Sequence, residues 1–287
     1  PIVWTFHDCW PFTGHCAHFE RVGCFKWQDH CFKCPNKKGY PASHFLDRSK
    51  QNFFLKKRLF TSIKNLTIIT PSEWLTNYAK KSFFSSFPIH TINNGIDVTR
   101  FKVTDSTHLS KKLSLSDKKV ILGIANVWNK QKGLDDFVSL SKSLPAQFQI
   151  ILIGLSKNQM KQLPDNILGI EKTHDIEELA AFYSLADVFV NPTYSDNFPT
   201  TNLEALACGT PVITYDTGGS PEAINAETGF VVQRGDIESL YNILVSEFSN
   251  GRGYGQRCRE RAVNKYNMRD RYMDYLKLYE KLTGLPV

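Results

Sequence analysis

Asp187-Val-Phe-Val-Asn-Pro-Thr-Tyr-Ser-Asp-Asn-Phe-Pro-Thr-Thr-Asn-Leu-Glu-Ala-Leu-Ala-Cys-Gly-Thr-Pro-Val-Ile-Thr-Tyr215 decides the architecture of this chain. Asp187 to Asn191 reads as a buried strand. A polar loop follows, then a helix over Thr200 to Cys208, a Gly-Thr-Pro turn and a second apolar run from Pro211 to Tyr215. Two short apolar runs joined through a helix specify parallel neighbours, because re-entering a sheet in the same direction requires a crossover. Outward from this unit the alternation continues. Val120 to Ala125, Phe148 to Gly154 and Ile167 to Glu171 read as strands. Leu134, Phe137, Val138, Ser141 and Leu144 recur at helical spacing, and Glu177 to Leu185 is a helix with Leu179, Phe182 and Tyr183 on one face. The pattern implies a mostly parallel, doubly wound α/β sheet.

The first ninety-odd residues carry fewer such units. Ile2 to Phe6 and Leu66 to Thr70 read as buried strands, and Ser72 opens a helix through Lys81. Polar Thr104 to Asp117 reads as the linker between domains, and Arg257 to Leu282 as helical. The expected domains are 1–95, containing a cysteine-rich insertion over 12–40, and 96–268; a C-terminal helix over 269–287 is expected to pack back on the first. The chain opens at Pro1 on a strand-like run, so a preceding segment is expected to be missing. With 287 residues, 41% hydrophobic and 22% charged, the composition is that of an ordinary globular chain. Its longest apolar runs fall far short of a membrane span. A formal net charge of +7 suits anionic partners. Part of it lies between Lys50 and Lys64, interleaved with Phe53, Phe54, Leu55, Leu59, Phe60 and Ile63. That stretch reads as a domain helix, with a basic amphipathic face toward an anionic membrane as the alternative.

In open α/β sheets ligands gather beyond the carboxyl ends of the strands. Lys130, Lys132 and Gly133 follow the strand ending at Ala125, Asp196 to Glu204 follow Asn191, and Thr217, Gly218 and Gly219 follow Tyr215. One edge thus collects two ammonium groups, two carboxylates, helix N-termini and flexible glycines. A diphosphate accounts for the inventory. Lysine charge and N–H groups at a helix start stabilise phosphate oxygens, and a carboxylate accepts from ribose hydroxyls. Singly, Lys132 reads equally well as a solvated lysine and Glu204 as a helix-face acid; their shared placement favours a site.

From Asn93-Asn-Gly-Ile-Asp97 onward the chain resembles the C-terminal domain of the retaining nucleotide-sugar glycosyltransferases with the GT-B fold, a family 4-like group. Its specific pieces are Lys132-Gly133, Asp196 to Glu204 with Ala205-Leu-Ala-Cys-Gly-Thr-Pro211, and Thr217-Gly-Gly-Ser-Pro-Glu222. The opening His7-Asp-Cys-Trp-Pro-Phe-Thr-Gly-His-Cys16 is similar to a subgroup tied to capsule and exopolysaccharide synthesis. The resemblance implies two Rossmann-like doubly wound domains facing a cleft, the N-terminal one incomplete. It also implies retaining transfer of a hexosyl group from a nucleotide diphosphate sugar to a glycan or lipid-linked glycan acceptor, with no cofactor required for catalysis. Glu204 would hold the ribose, Lys132 the diphosphate and Asp196 the donor sugar, with Lys130 or Asn126 left to compensate for the family arginine that this chain lacks. Gly218 and Gly219 would supply backbone near phosphate or sugar, and His7 would face the reacting centre. Two positions depart from the family. Its arginine is Val127 here, and its loop glycine is Pro199, which has no N–H; phosphate binding at that helix then rests on Thr200 and Thr201.

Four of the seven cysteines, Cys16, Cys24, Cys31 and Cys34, cluster, and Cys31-Phe-Lys-Cys34 has the spacing of a metal knuckle. A structural zinc is expected there, with reduced thiols as the alternative. Nucleotide-sugar donors imply a cytoplasmic enzyme, peripheral at the inner face of the membrane if the basic stretch docks there. A basic, knuckle-bearing nucleic-acid-binding protein would explain the charge and the cysteines but leaves Asp196 to Glu222 unexplained, so no nucleic acid is expected. A GT-B epimerase or phosphorylase and an inactive homologue are the remaining rivals.

Overall fold

The computed structural model describes residues 1–249 and 253–285, and the chain divides into two compact units. The first comprises residues 1–94, 195–198 and 271–287; the second comprises 95–194 and 199–270.

In the first unit, β1 (Ile2–Thr5), β2 (Leu66–Thr70) and β3 (Ile89–Thr91) form a parallel sheet in the order β1-β2-β3. Central β2, Leu-Thr-Ile-Ile-Thr, is buried at every position, as a β-branched run between two parallel neighbours should be. Helices α1 (Ser49–Thr61) and α2 (Glu73–Lys80) flank β2 in sequence, and the Ser72 side chain caps α2 by accepting from the Leu75 N–H at 3.2 Å. The core is aromatic: Trp4 packs edge-on against Phe6, Phe60 and Phe84, and Phe19 and Trp27 meet Tyr78. Residues between β1 and α1 form only three single-turn 3-10 helices.

The charges of α1 divide between surface and interior. Lys50, Lys57 and Arg58 are exposed beside Phe54, Leu55 and Leu59, but Lys56 is buried. Its ammonium donates to the carbonyls of Trp10 (2.7 Å) and Thr13 (3.0 Å) and lies 3.3 Å from the centre of the Trp10 ring. Burial drags its pKa down to about 8.

The second unit adds α3 (Thr107–Lys112), β4 (Lys119–Ile124), α4 (Leu134–Ser141), β5 (Phe148–Ile153), α5 (Lys157–Met160), β6 (Ile167–Ile170), α6 (Ile176–Leu185), β7 (Val188–Asn191), α7 (Thr200–Ala207), β8 (Val212–Tyr215), β9 (Gly229–Val232), α8 (Ile237–Phe248) and α9 (Gly255–Tyr266). Its strands pair in parallel in the order β6-β5-β4-β7-β8-β9. The chain winds outward from β4 in one direction, then returns to β7 and winds outward in the other. The reversal falls between β4 and β7, the switch point beyond whose strand ends open α/β sheets bind their ligands.

One expectation needs correction. Residues 104–117 are not a linker between domains: they lie within the second unit, where α3 forms and buries Leu109. The C-terminal helical stretch is two helices. It breaks at Asn267, which takes an extended ψ of 124°, because Ile96 intervenes, donating to Tyr266 O at 2.7 Å and accepting from Met268 N–H at 3.0 Å. The helix beyond, α10 (Met268–Thr283), passes into the first unit, where Tyr275 and Thr5 share a hydroxyl contact at 3.5 Å. Among the described residues no helix is long and apolar enough to cross a membrane.

Candidate active site

Three loops of the second unit are stitched together at the strand ends. After β4, the Asn129 side chain accepts from the N–H groups of Gln131 (2.8 Å) and Lys132 (3.1 Å), winding Lys130–Lys132 into a 3-10 turn. Lys130 is exposed and Lys132 half-buried. Gly133 ends the turn at φ 74°, and a side chain there would strike Pro192 of the loop after β7. Tyr194 N–H donates to Gln131 O at 2.8 Å, and Thr217 Oγ1, after β8, donates to Thr193 O at 2.8 Å. Below them Asp136 accepts from Tyr194 (3.1 Å) and Tyr215 (2.7 Å). Burial raises the Asp136 pKa, and the two phenolic hydrogen bonds oppose the rise.

Helix α7 begins at this edge. Pro199 occupies its N-cap, so Thr200 (exposed) and Thr201 (half-buried) are its first helical residues. Asn202 is fully buried, accepting from Asn191 Nδ2 at 2.8 Å and donating to Ser220 O and Oγ at 3.2 and 3.1 Å. That bond set ties α7 to the end of β7 and to the turn carrying Gly218 (φ 57°) and Gly219. Within α7, Glu204 accepts from the Tyr183 hydroxyl at 2.8 Å and from the Thr200 side chain. Burial pushes its carboxyl above the ordinary range, and both hydrogen bonds pull back toward ionisation. The phenol itself is held protonated by burial and by the Glu204 charge. One carboxylate oxygen is thereby fixed in place.

In the first unit, His7 is exposed just past β1. Its carbonyl accepts from Asn197 Nδ2 at 3.0 Å, and Asn197 Oδ1 accepts from the Ser72 hydroxyl at 2.7 Å. Asp196 Oδ1 accepts from Asn197 N–H at 2.9 Å. Asn197 therefore fastens the segment bearing Asp196 to the end of β1 and the cap of α2. A pocket of about 360 Å³ opens at the same strand end, lined by Trp4, Thr5, His7, Asp8, Trp10 and Tyr40 among others.

Residues 118–250 match the family model described as Glycosyl transferases group 1. The chain carries a group 1 glycosyl transferase domain. Over 289 aligned residues it is 25% identical to the putative colanic acid biosynthesis glycosyl transferase WcaC of Escherichia coli K12, covering 98% of this chain and 68% of that protein. It is 24% identical over 188 residues to the capsular polysaccharide biosynthesis glycosyltransferase CapM of Staphylococcus aureus, covering 61% of this chain and 50% of that one. The chain thus spans about two thirds of the first relative and half of the second. Among solved structures it superposes on sucrose-phosphate synthase from Thermosynechococcus elongatus with a TM-score of 0.74 at 23% identity, covering 98% of this chain and 68% of that one. It superposes on Anabaena HepE in complex with UDP with a TM-score of 0.72 at 17% identity, covering 99% of this chain and 72% of that one. These neighbours are GT-B glycosyltransferases, and the mixed α/β architecture with parallel sheets is theirs.

Within the glycosyltransferase domain, Lys130, Lys132, Thr200, Thr201, Glu204, Gly218 and Gly219 all sit on turns or a helix start beyond β4, β7 and β8. Asp196 falls, with His7, in the other unit. Val127, at the family's arginine position, is 68% exposed. Sequence reasoning missed Tyr183, Asp136, Asn191, Asn197 and Asn202. Three of these are asparagines at strand or helix ends, where a side-chain amide bridging two backbones is a readable signal. Cys16, Cys24, Cys31 and Cys34 lie in the first unit as thiols. Among the described residues no three His, Cys, Asp or Glu side chains form a ready-made metal shell.

Proposed function

We propose that this chain transfers a hexosyl group, with retention, from a nucleotide diphosphate sugar to an acceptor hydroxyl in cell-surface polysaccharide synthesis. The observation that carries the reading is Glu204: a carboxylate held by Tyr183 and Thr200 at the strand-end edge of a group 1 domain. Its remaining lone pairs suit the paired hydroxyls of a ribose. Lys132 and Lys130 supply positive charge for the diphosphate, and the N–H groups of Thr200 and Thr201, the first residues of α7, are those a helix start leaves to an anion. Gly218 and Gly219 present backbone without a side chain in the way. Asp196 takes sugar hydroxyls and His7 faces the reacting carbon. The residues' contribution is positioning, together with stabilisation of charge on the departing diphosphate.

For the acceptor, the aromatic faces of Trp10 and Tyr40 beside Asp8 and His7 have the makeup of a carbohydrate subsite: flat apolar surfaces with a few polar groups. Relatives named for colanic acid and capsular polysaccharide synthesis support a glycan or lipid-linked glycan. The exposed Lys50, Lys57 and Arg58 among Phe54, Leu55 and Leu59 suit an anionic membrane surface near which such an acceptor would be met.

The test is a thermal-shift panel of UDP, GDP, ADP and their sugars against the wild-type chain and Lys132→Ala. One nucleotide diphosphate should raise the melting temperature of the wild type, and the rise should shrink in the variant. Indifference of the wild-type chain to every nucleotide would remove the donor site.

A further inference from the structure

We propose that Cys16, Cys24, Cys31 and Cys34 bind one zinc-class divalent cation that fixes the long segment between β1 and α1, and with it the wall of the aromatic pocket. That segment lacks both helix longer than one turn and strand, and it holds no disulfide. Its buried Phe12, Phe19 and Trp27 anchor it to the core, but with so little regular structure its loops are of the kind that a disulfide or a metal staples.

Several features fit thiolate ligation. Lys33, inside the Cys31-Phe-Lys-Cys34 turn, stands at φ 43°, a left-handed conformation that a side chain resists and that a surrounding constraint must hold. Two of the four sulfurs accept backbone N–H groups: Gly14 donates to Cys31 Sγ at 3.1 Å, and Asn36 donates to Cys34 Sγ. Such donors stabilise sulfur when it carries negative charge. Gly14 makes the approach possible, since a side chain there would collide with the Ser49 carbonyl and the Cys31 β-carbon. Backbone anchors fix the frame around the sulfurs: Thr13 Oγ1 donates to Cys16 O at 2.6 Å, and Cys34 N–H to Asp47 Oδ2 at 2.7 Å. The buried Lys56 ammonium holds the carbonyls of Trp10 and Thr13.

The four thiols also lie near enough to act on one another. Cys16 interacts electrostatically with Cys34, Cys31 and Cys24, and the Gly14 N–H on Cys31 Sγ sets that sulfur beside the turn that carries Cys16. No three of them form a ready-made shell, so ligation requires the sulfurs to draw together on the cation. On ligation each thiol releases its proton and donates a sulfur lone pair, without redox change. The consequence reaches the pocket through two backbone bonds: Ala17 N–H to Tyr40 O at 3.2 Å and Cys9 N–H to Ala17 O at 2.9 Å. Residue 17, next to a ligand, thus holds both Tyr40 and the turn bearing Trp10.

The experiment reads metal and not catalysis, so its outcome is separate from that of the transferase reading. The full chain is purified under reducing conditions without added metal and its metal content measured. One zinc per chain is expected. Exchange for cobalt should give sulfur-to-cobalt charge-transfer absorption with tetrahedral ligand-field bands. Cys31→Ser and Cys34→Ser should lose that absorption, whereas Cys208→Ser and Cys258→Ser should keep it. Should the Ser variants not fold, the wild-type chain suffices: chelation should speed amide exchange over residues 13–41 and leave β4 to β8 unchanged, and zinc should reverse it. Metal-free protein that takes up no cobalt, or a mass showing disulfides among these four cysteines, would overturn the assignment.

Discussion

Glu204 sits where stability and function pull in opposite directions. Its carboxyl is pushed upward by burial against the opposing bonds from Tyr183 and Thr200. An acid whose folded pKa exceeds its unfolded value binds protons more readily in the native state, so it contributes stability below the unfolded pKa. That contribution is lost as pH rises through the folded value. Glu204→Gln keeps an oxygen for the Tyr183 hydroxyl and removes the buried charge. We expect the variant to melt above the wild type at neutral pH, with the gap closing as pH falls below the ordinary glutamate range. Nucleotide affinity should move the other way, falling by about ten- to a hundred-fold, since a charge-assisted hydrogen bond is worth about 1.5–3 kcal/mol. Paired melting curves across pH and nucleotide titrations test both halves. A variant that binds nucleotide as the wild type does would take Glu204 out of the donor site.

At the scale of elements, the loops after β4, β7 and β8 act as one body because their backbones are bonded to each other. Gly133 is the tightest joint: its φ of 74° and the proximity of Pro192 leave no room for a methyl group. Gly133→Ala should cost about 1–3 kcal/mol, by denaturant unfolding, for forcing a side chain into the left-handed region. It should also weaken nucleotide binding by displacing the Lys130–Lys132 turn. Strands β4, β5, β7 and β8 were legible because each is built mainly of apolar, often β-branched residues bounded by turn residues. Edge strand β9 was not, since Gly229-Phe-Val-Val232 is short and begins on a glycine; three-residue β3 has an exposed His90 in its middle. The break at Asn267 was invisible because Ile96, far away in sequence, causes it. The same logic divides the candidate site. Lysine, glutamate and glycine positions follow from their place after strands, but the buried Asn202, Asp136 and Tyr183 matter through partners that only the fold supplies.

Over the whole molecule, the two units divide the chemistry. The glycosyltransferase domain holds Lys132, Glu204 and the glycine turn, while His7, the Asp196 segment and the aromatic pocket belong to the other unit. A net charge of +7 favours anionic ligands in general, so affinity alone cannot separate a built site from diffuse attraction. Amide exchange can, because each part of the ligand has its own expected footprint. A nucleoside diphosphate binding only the native state stabilises by mass action, about 2.7 kcal/mol at a hundred times its Kd. Its protection should concentrate on residues 126–133, 192–194, 199–204 and 216–220, with β1 to β3 unaltered. The matching nucleotide sugar should add protection at His7 and residues 195–198, because the hexose is the part assigned to His7 and Asp196. If nucleotide and nucleotide sugar gave the same footprint, the roles given to those two residues would fall while the diphosphate site stood. If protection were spread over the exposed lysines of both units and vanished in moderate salt, diffuse charge and not a site would be binding.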